Sequence, residues 1–303
     1  MSSHTTDNFN AIYKDYLKEI EAVLPVFLSD GSDNPDDTVL TAANYSLTAG
    51  GKRIRPVLLL AAARMLSADY SCAQAMSAAV EMIHTYSLIH DDLPCMDDDE
   101  LRRGRPTCHV VYGEAIAVLA GDALLNRAYE ILLNSIDLSA PGSLKAAQYI
   151  ASSAGLSGMI AGQSLDLNSE GRKISMDELR NLHRHKTGAL ISAPLVSAAL
   201  LAEADQKIID YVSEYADAIG LAFQIQDDIL DVTAQQIELG KTVGKDARDQ
   251  KSTYVSLLGL EEARNQLRET DKRARIALAS LKKEGLDISF LSGMTDFLLV
   301  RTW

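Results

Sequence analysis

His90-Asp91-Asp92-Leu93-Pro94-Cys95-Met96-Asp97-Asp98-Asp99-Glu100-Leu101-Arg102-Arg103-Gly104 crowds six carboxylates into residues 91–100, with two arginines directly behind them. Adjacent carboxylates repel one another, and burying them without a cation is costly. Hard oxygen ligands at this density suit Mg²⁺, which commonly takes one or two carboxylates together with substrate phosphates. The arginines add permanently charged planar forks that match phosphate oxygens. The segment therefore points to a diphosphate held through bridging metal. Pro94 cannot donate to the carbonyl of His90, so a helix entering this segment kinks or ends there. On an unbroken helix Asp91 and Asp97 would point ~120° apart, and they share a metal only if the backbone departs from that course.

A second cluster, Gln224-Ile225-Gln226-Asp227-Asp228-Ile229-Leu230-Asp231, follows far along the chain. Asp227 and Asp231 stand four apart and Gln224 three before Asp227, so a helix puts all three on one face. Like charges at that spacing destabilise a bare helix, and the rest of the segment is apolar. A solvated acidic face would mix in lysine, as the chain does at Lys282-Lys283.

Between and around these clusters the periodicity is helical. Phe9 to Leu28 reads as an amphipathic helix that Pro25 kinks or ends early. Thr38 to Thr48 is a second helix, stopped by Gly50-Gly51, since glycine tolerates the left-handed backbone of a helix terminus. Lys52-Arg53-Ile54-Arg55 precedes Pro56, and basic side chains at a helix start make an anion site. Val57 to Leu66 is apolar on nearly every face and reads as buried. Cys72 to Asp92 forms a helix that carries His84, which in an apolar stretch reads first as a core histidine. Tyr112 to Ile136 is apolar all round near Ala115–Leu125, as in a core or at a subunit interface. Leu144 to Leu167 is rich in small residues, which permit close helix contact or leave room for a substrate. Met176 to Leu200 contains Lys186-Thr187-Gly188 and is kinked at Pro194. Ala204 to Asp231 ends in the second cluster. From Val232 to Lys251 periodicity fails, and the glycines and lysines there suggest a mobile basic loop. No run of alternating β-branched residues supports a sheet, so the fold reads all-α.

Composition narrows the partners. Forty-two acidic against 29 basic residues leave a formal charge of −13, and with no basic run this argues against nucleic acid. Apolar residues make up 47% of the 303, enough for a sizeable core, and no Pro/Gly/Ser-rich linker divides the chain, so residues 1–303 read as a single domain. Cys72, Cys95 and Cys108 lack metal-type spacing and read as reduced thiols. Met1 to Asn8 lacks a signal-peptide core and the apolar runs are far short of the ~20 residues of a membrane span. The expectation is a soluble, cytoplasmic protein.

Both aspartate-rich motifs, DDLPCMD and DDILD, in a helical chain resemble the trans-prenyl diphosphate synthases. The resemblance extends through Gly50–Pro56, Lys186-Thr187-Gly188, Lys241 and Lys251, and covers about Ala43 to Leu260. Tyr86–Asp92 and Arg105–His109 are similar to the bacterial members that make farnesyl diphosphate. The resemblance implies ten or more helices around a central cavity with the acidic clusters facing across its mouth, a homodimer, and Mg²⁺ as cofactor. It implies head-to-tail condensation of dimethylallyl or geranyl diphosphate with isopentenyl diphosphate. Asp91, Asp92, Asp97, Asp227, Asp228 and Asp231 would serve the metal, with Asp91, Asp97 and Asp227 foremost. Arg102, Lys186, Lys241 and Lys251 would grip the allylic diphosphate; Lys52, Arg55, His84 and Arg103 would hold isopentenyl diphosphate. Thr187 and Gln224 would offer oxygen dipoles to the allylic cation. Tyr86 would act as a floor to the growing chain, with Ser87 one turn below Asp91. Glu100 stands where the family usually has Asp, Cys95 where many bacterial members have Ala, and Thr233–Gln236 where Gly-Asp is usual.

Three rival readings differ from this one. A geranylgeranyl diphosphate synthase would share the fold and make a twenty-carbon product. A metal phosphohydrolase would use His90-Asp91 as a histidine–aspartate pair, but His109, His183 and His185 lack a matching arrangement. A silent partner subunit would not keep both acidic clusters and the basic residues.

Overall fold

The computed structural model describes residues 3–29, 37–237 and 252–299. Lys241 and Lys251, expected at the diphosphate, lie outside these residues. The described residues are almost wholly helical, as the periodicity requires. They fall into two compact units. One comprises the chain to Gln148 with Leu200–Glu203, the other Tyr149–Ala199 with Ala204 onward.

In the first unit α1 (Ser3–Leu28) runs on past Pro25 for three residues instead of ending early. α2 (Thr38–Leu47) starts where Asp37 accepts from the Val39 and Leu40 amides at 2.8 and 3.1 Å. It stops before Gly50 and Gly51, whose φ of 78° and 123° only glycine adopts without strain. α3 (Ile54–Leu66) is buried along most of its length, as its apolar sequence demands. α4 (Tyr70–Asp91), capped by Asp69, packs against α1, α3 and α6 (Glu114–Asn134). The approach of α6 to α4 is close: a Cβ at Gly121 would strike the His90 ring at 2.2 Å.

Two expectations fail here for local reasons. The helix expected over 112–136 is split at Gly113, with φ 82°, into α5 (Cys108–Tyr112) and α6. A sheet, unexpected from the sequence, exists in its smallest form: β1 (Leu101–Arg102) pairs with β2 (Arg105–Pro106). Arg103 and Gly104 form its two-residue turn with φ of 53° and 73°, the doubly positive pattern of a tight hairpin.

The small-residue stretch breaks at 155–158, so that α7 (Pro141–Ala154), which begins in the first unit and ends in the second, and α8 (Met159–Ser169) of the second replace one long helix. α9 (Met176–His183) begins in a Ser175–Glu178 capping box. A π turn, Arg184–Gly188, joins it to α10 (Ala189–Leu201), which continues through Pro194. The π turn holds the Lys186-Thr187-Gly188 motif, and single π turns inside helices commonly mark functional sites. α11 (Gln206–Ile237) extends six residues beyond Asp231, where a loop was expected; Thr233-Ala234-Gln235-Gln236 contains no helix breaker. α12 (Tyr254–Leu258), α13 (Leu260–Lys283) and α14 (Ser289–Leu299) follow. Ile174, Leu179, Leu182, Ile225, Ile229, Tyr254 and Ala263 form the core beneath the second acidic cluster. No helix among the described residues is long and apolar enough to cross a membrane.

Candidate active site

α4 ends at Asp91, and the next seven residues turn back on it. The Asp97 amide donates to the Asp91 carbonyl at 2.8 Å, Asp98 to Leu93 at 3.1 Å and Asp99 to Asp92 at 3.2 Å. The backbone therefore leaves the helical course after Asp91, with Pro94 in the turn, and brings the backbone of Asp97 onto that of Asp91, the departure that a shared metal requires. Asp92 faces another way. It is 3% exposed, and both its oxygens accept from Arg102 Nε, at 2.7 and 2.9 Å, while Nη2 adds a third bond at 2.5 Å. Burial pushes the Asp92 carboxyl above its ordinary value, and Arg102 pulls it back. Asp92 and Arg102, expected at metal and phosphate, are thus bonded to each other.

The basic loop is pinned from behind. Arg53, at φ 46° and fully buried, donates to Glu81 at 2.6 Å, to Glu21 at 2.7 Å and to the Leu47 carbonyl at 2.7 Å. The Tyr13 hydroxyl donates to the Lys52 carbonyl, and Arg103 to that of Gly50. With Arg53 used for structure, Lys52 is left exposed and Arg55 half-buried. His84 sits in the field of Arg55, Arg103, Arg102 and Arg53. Burial first, then those cations, hold its pKa well below the ordinary value, so the ring is neutral. A neutral donor ringed by guanidinium groups suits an oxyanion. The surroundings of His84 are thus cationic as well as apolar.

In the second unit one pocket brings together Lys186, Gln224, Asp227, Asp228 and Asp231 with Asp166, His183, Ser252 and Thr253. Lys186 leaves the π turn and pairs with Asp166 of α8. Gly162, one turn before Asp166, lets α8 press on that turn, since a Cβ there would fall 2.0 Å from the Lys186 nitrogen. At Gly162, then, the small-residue stretch serves close helix contact. Asp228 is 9% exposed and its Oδ2 accepts from the Tyr254 amide at 2.7 Å, capping α12. Thr187 is half-buried in the π turn and does not line the pocket.

Another cleft, between α2, α4 and the hairpin, is lined by Tyr45, Thr85, Leu88, Asp92 and Arg103 but not by Tyr86 or Ser87. Tyr86 is 6% exposed and its hydroxyl has no hydrogen-bond partner among the described residues. Ser87 donates to the His84 carbonyl at 2.9 Å.

Residues 36–284 match the family described as polyprenyl synthetase. This chain belongs to the polyprenyl synthetase family. It is 46% identical to the farnesyl diphosphate synthase of Escherichia coli, over 87% of this chain and 89% of that one. It is 44% identical to a geranylgeranyl diphosphate synthase of Cyanophora paradoxa, over 84% and 86% of the two chains. The crystal structure of an FPP/GFPP synthase from Zymomonas mobilis superposes with a TM-score of 0.83 at 33% identity, covering 97% of this chain and all of that one.

Family membership implies Mg²⁺, and the donors present fit it in a particular way. Among the described residues no three histidine, cysteine, aspartate or glutamate side chains converge as a closed cage. A hard cation that completes its shell with water and substrate oxygens needs only one or two carboxylates. The Asp91–Asp97 turn and the Asp227–Asp231 pair, one helical turn apart, each meet that need.

Sequence reading missed Arg53, Glu81 and Asp166. Glu81 is a lone acid in an apolar helix and Asp166 a lone acid in the small-residue one. That isolation was the available signal.

Proposed function

We propose that this protein is a Mg²⁺-dependent prenyltransferase that joins dimethylallyl or geranyl diphosphate to isopentenyl diphosphate and stops at farnesyl diphosphate. The observation that carries this is the single pocket joining Lys186 and Gln224 to Asp227 and Asp231. The identity to farnesyl diphosphate synthases over most of the chain supports it.

Asp91 and Asp97 in the first unit, and Asp227 and Asp231 in the second, would hold Mg²⁺, with Asp92 and Asp228 behind them, and bound metal would neutralise charge on the leaving diphosphate. In the second unit Lys186 exchanges Asp166 for phosphate oxygens; Arg102, Lys241 and Lys251 are the further cations assigned to the allylic diphosphate. Lys52, Arg55, Arg103 and neutral His84 bind isopentenyl diphosphate. The allylic C–O bond breaks with its electron pair leaving on diphosphate. The isopentenyl double bond then forms the new C–C bond, and a proton passes to the released diphosphate. Gln224 turns its oxygen dipole toward the cation, and apolar walls keep water from it.

Incubation with Mg²⁺, isopentenyl diphosphate and geranyl diphosphate, followed by chromatography, tests the reading. Farnesyl diphosphate is the expected main product, and absence of any prenyl product sinks the proposal. The two diphosphate grips separate by substitution. Lys52→Ala raises the KM for isopentenyl diphosphate about tenfold or more, the size of one lost charge-assisted bond, with little change for the allylic substrate. Arg102→Ala does the reverse, and also loses stability because Asp92 keeps its burial without its cation. Equal KM effects on both substrates would show the partition to be wrong.

A homodimer is the expected assembly. Val110 and Val111 on α5 and Val118 and Leu119 on α6 are large apolar residues left 40–50% exposed, a face that a second copy would cover. Sedimentation should give a dimer for the unaltered protein and a monomer for Leu119→Glu; a dimer in both moves the interface elsewhere.

A further inference from the structure

Among the polar side chains around Asp227 that the proposed reaction leaves without a task, His183 is the buried ring. His183 closes α9 immediately before the π turn, and its ring lies against Tyr254, centroids 5.7 Å apart and planes inclined by 31°. The residue is 8% exposed, yet it lines the pocket shared by Lys186, Gln224, Asp227 and Asp231. Its Nδ1 is sealed from solvent and has no hydrogen-bond partner among the described residues.

Buried polar atoms are nearly always bonded, so an orphan of this kind asks for a reason. Orphan N–H groups are rarer than orphan acceptors, which places the proton on Nε2 and leaves a lone pair on the sealed Nδ1. Nε2–H is then the one donor that the ring can offer to the pocket it lines. Burial first, and then Lys186, hold the pKa of the ring down to about 4, so it stays neutral. Within the pocket the nearby carboxylates already have protein partners: Asp166 pairs with Lys186, and Asp228 accepts from the Tyr254 amide. A ligand presenting several acceptor oxygens and no donors would complete the arrangement. If the ring were only filling space, an apolar ring of the same shape would leave no nitrogen stranded.

We infer that His183 is a further binding residue of this pocket, donating its Nε2–H to a phosphate oxygen of the diphosphate. The inference rests on the prenyl-transfer reading of the pocket and adds a neutral donor to its cationic grip. A neutral donor binds an oxyanion without a further charge to desolvate beside Lys186.

The probe is inorganic diphosphate with Mg²⁺, followed by calorimetry on the full-length protein. His183→Phe keeps the ring and removes the donor, and should weaken diphosphate about tenfold or more, one charge-assisted bond. His183→Gln carries an amide N–H to nearly the position of Nε2 and should recover most of that loss. Helical content, by circular dichroism, should be equal in all three. A His183→Phe protein that folds and binds diphosphate as tightly as the unaltered one overturns the inference. A second readout needs no substitution. In ¹⁵N-labelled unaltered protein the His183 Nε2–H resonance should shift and become protected from exchange when Mg²⁺ and diphosphate are added. A resonance that does not respond while diphosphate binds also overturns it. Failure of the unaltered protein to bind diphosphate at all removes the underlying reading instead, so the two failures are distinct.

Discussion

Asp227→Ala and Asp91→Ala each lower turnover by on the order of a hundredfold or more, the scale of losing one preorganised electrostatic contact to a developing charge. Asp228→Ala and Asp92→Ala should add a loss of stability, because Asp228 holds the Tyr254 amide and Asp92 is bonded to Arg102. Asp228 caps α12 through the Tyr254 amide, and losing such a cap costs about 1 kcal/mol of stability. Asp92 is the buried counter-charge of Arg102, and removing one member of a buried pair costs up to ~3–5 kcal/mol. The expected pattern is therefore a split in stability within each Asp-Asp pair. The first residue controls kcat at saturating Mg²⁺, and losing the second adds a lower melting temperature. Removing Asp227 also relieves its repulsion from Asp231 four residues on, which offsets part of any stability its own contacts supply. Near-normal turnover in Asp91→Ala and Asp227→Ala would rule out both metal sites. Equal turnover loss across all four variants would show that Asp92 and Asp228 are ligands in their own right.

That split shows what the sequence carried and what it did not. The face shared by Gln224, Asp227 and Asp231 follows from a spacing of three and four on a helix, and α11 places all three in one pocket. Pro94 announced the break after Asp91, because a missing amide is a local property. What spacing could not reveal was the partner of each carboxylate. Arg102 reaches Asp92 only because Arg103-Gly104 closes a hairpin, and two paired residues per strand leave no alternation to read. The Tyr254 amide meets Asp228 across 26 positions. Lys186 was legible as a motif, whereas the π turn that presents it depends on Gly162 and Asp166 of another helix. Arg53 looked like one more cation of a basic loop; its left-handed backbone and its bonds to Glu21 and Glu81 make it the loop's anchor.

Tyr86→Ala should shift the product from fifteen carbons toward twenty or more. On the proposed reading the tail of an allylic substrate held at Asp91 would run back along α4, where Ser87 lies one turn deeper, ~6 Å, and Tyr86 stands at the same level. Ser87 bonds its hydroxyl to the His84 carbonyl of its own helix, so it turns no free donor toward an apolar tail. Tyr86 is held edge-on to His90, with centroids 5.7 Å apart and planes at 81°, a contact that fixes where the ring stands. The plainer account of Tyr86, a core tyrosine with its hydroxyl bonded elsewhere, requires a partner, and among the described residues that oxygen has none. Burial raises its pKa to about 12, so the hydroxyl stays protonated. A group that leaves a polar atom stranded in the core is better explained by what its ring blocks than by what it bonds. Removing the ring opens space that a further isoprene unit fills, at a cost of ~3–5 kcal/mol in stability before substrate occupies it. Tyr86→Phe separates the two accounts. It keeps the ring, so farnesyl diphosphate remains the product. It also removes the stranded hydroxyl, so the melting temperature holds or rises, by about 1 kcal/mol in stability. An unaltered enzyme that already makes mainly the twenty-carbon product overturns the assignment. An unchanged product from a folded Tyr86→Ala enzyme places the floor on another residue. A melting temperature that falls in Tyr86→Phe would mean that the hydroxyl has a partner after all, and with it the ring a structural reason to be there.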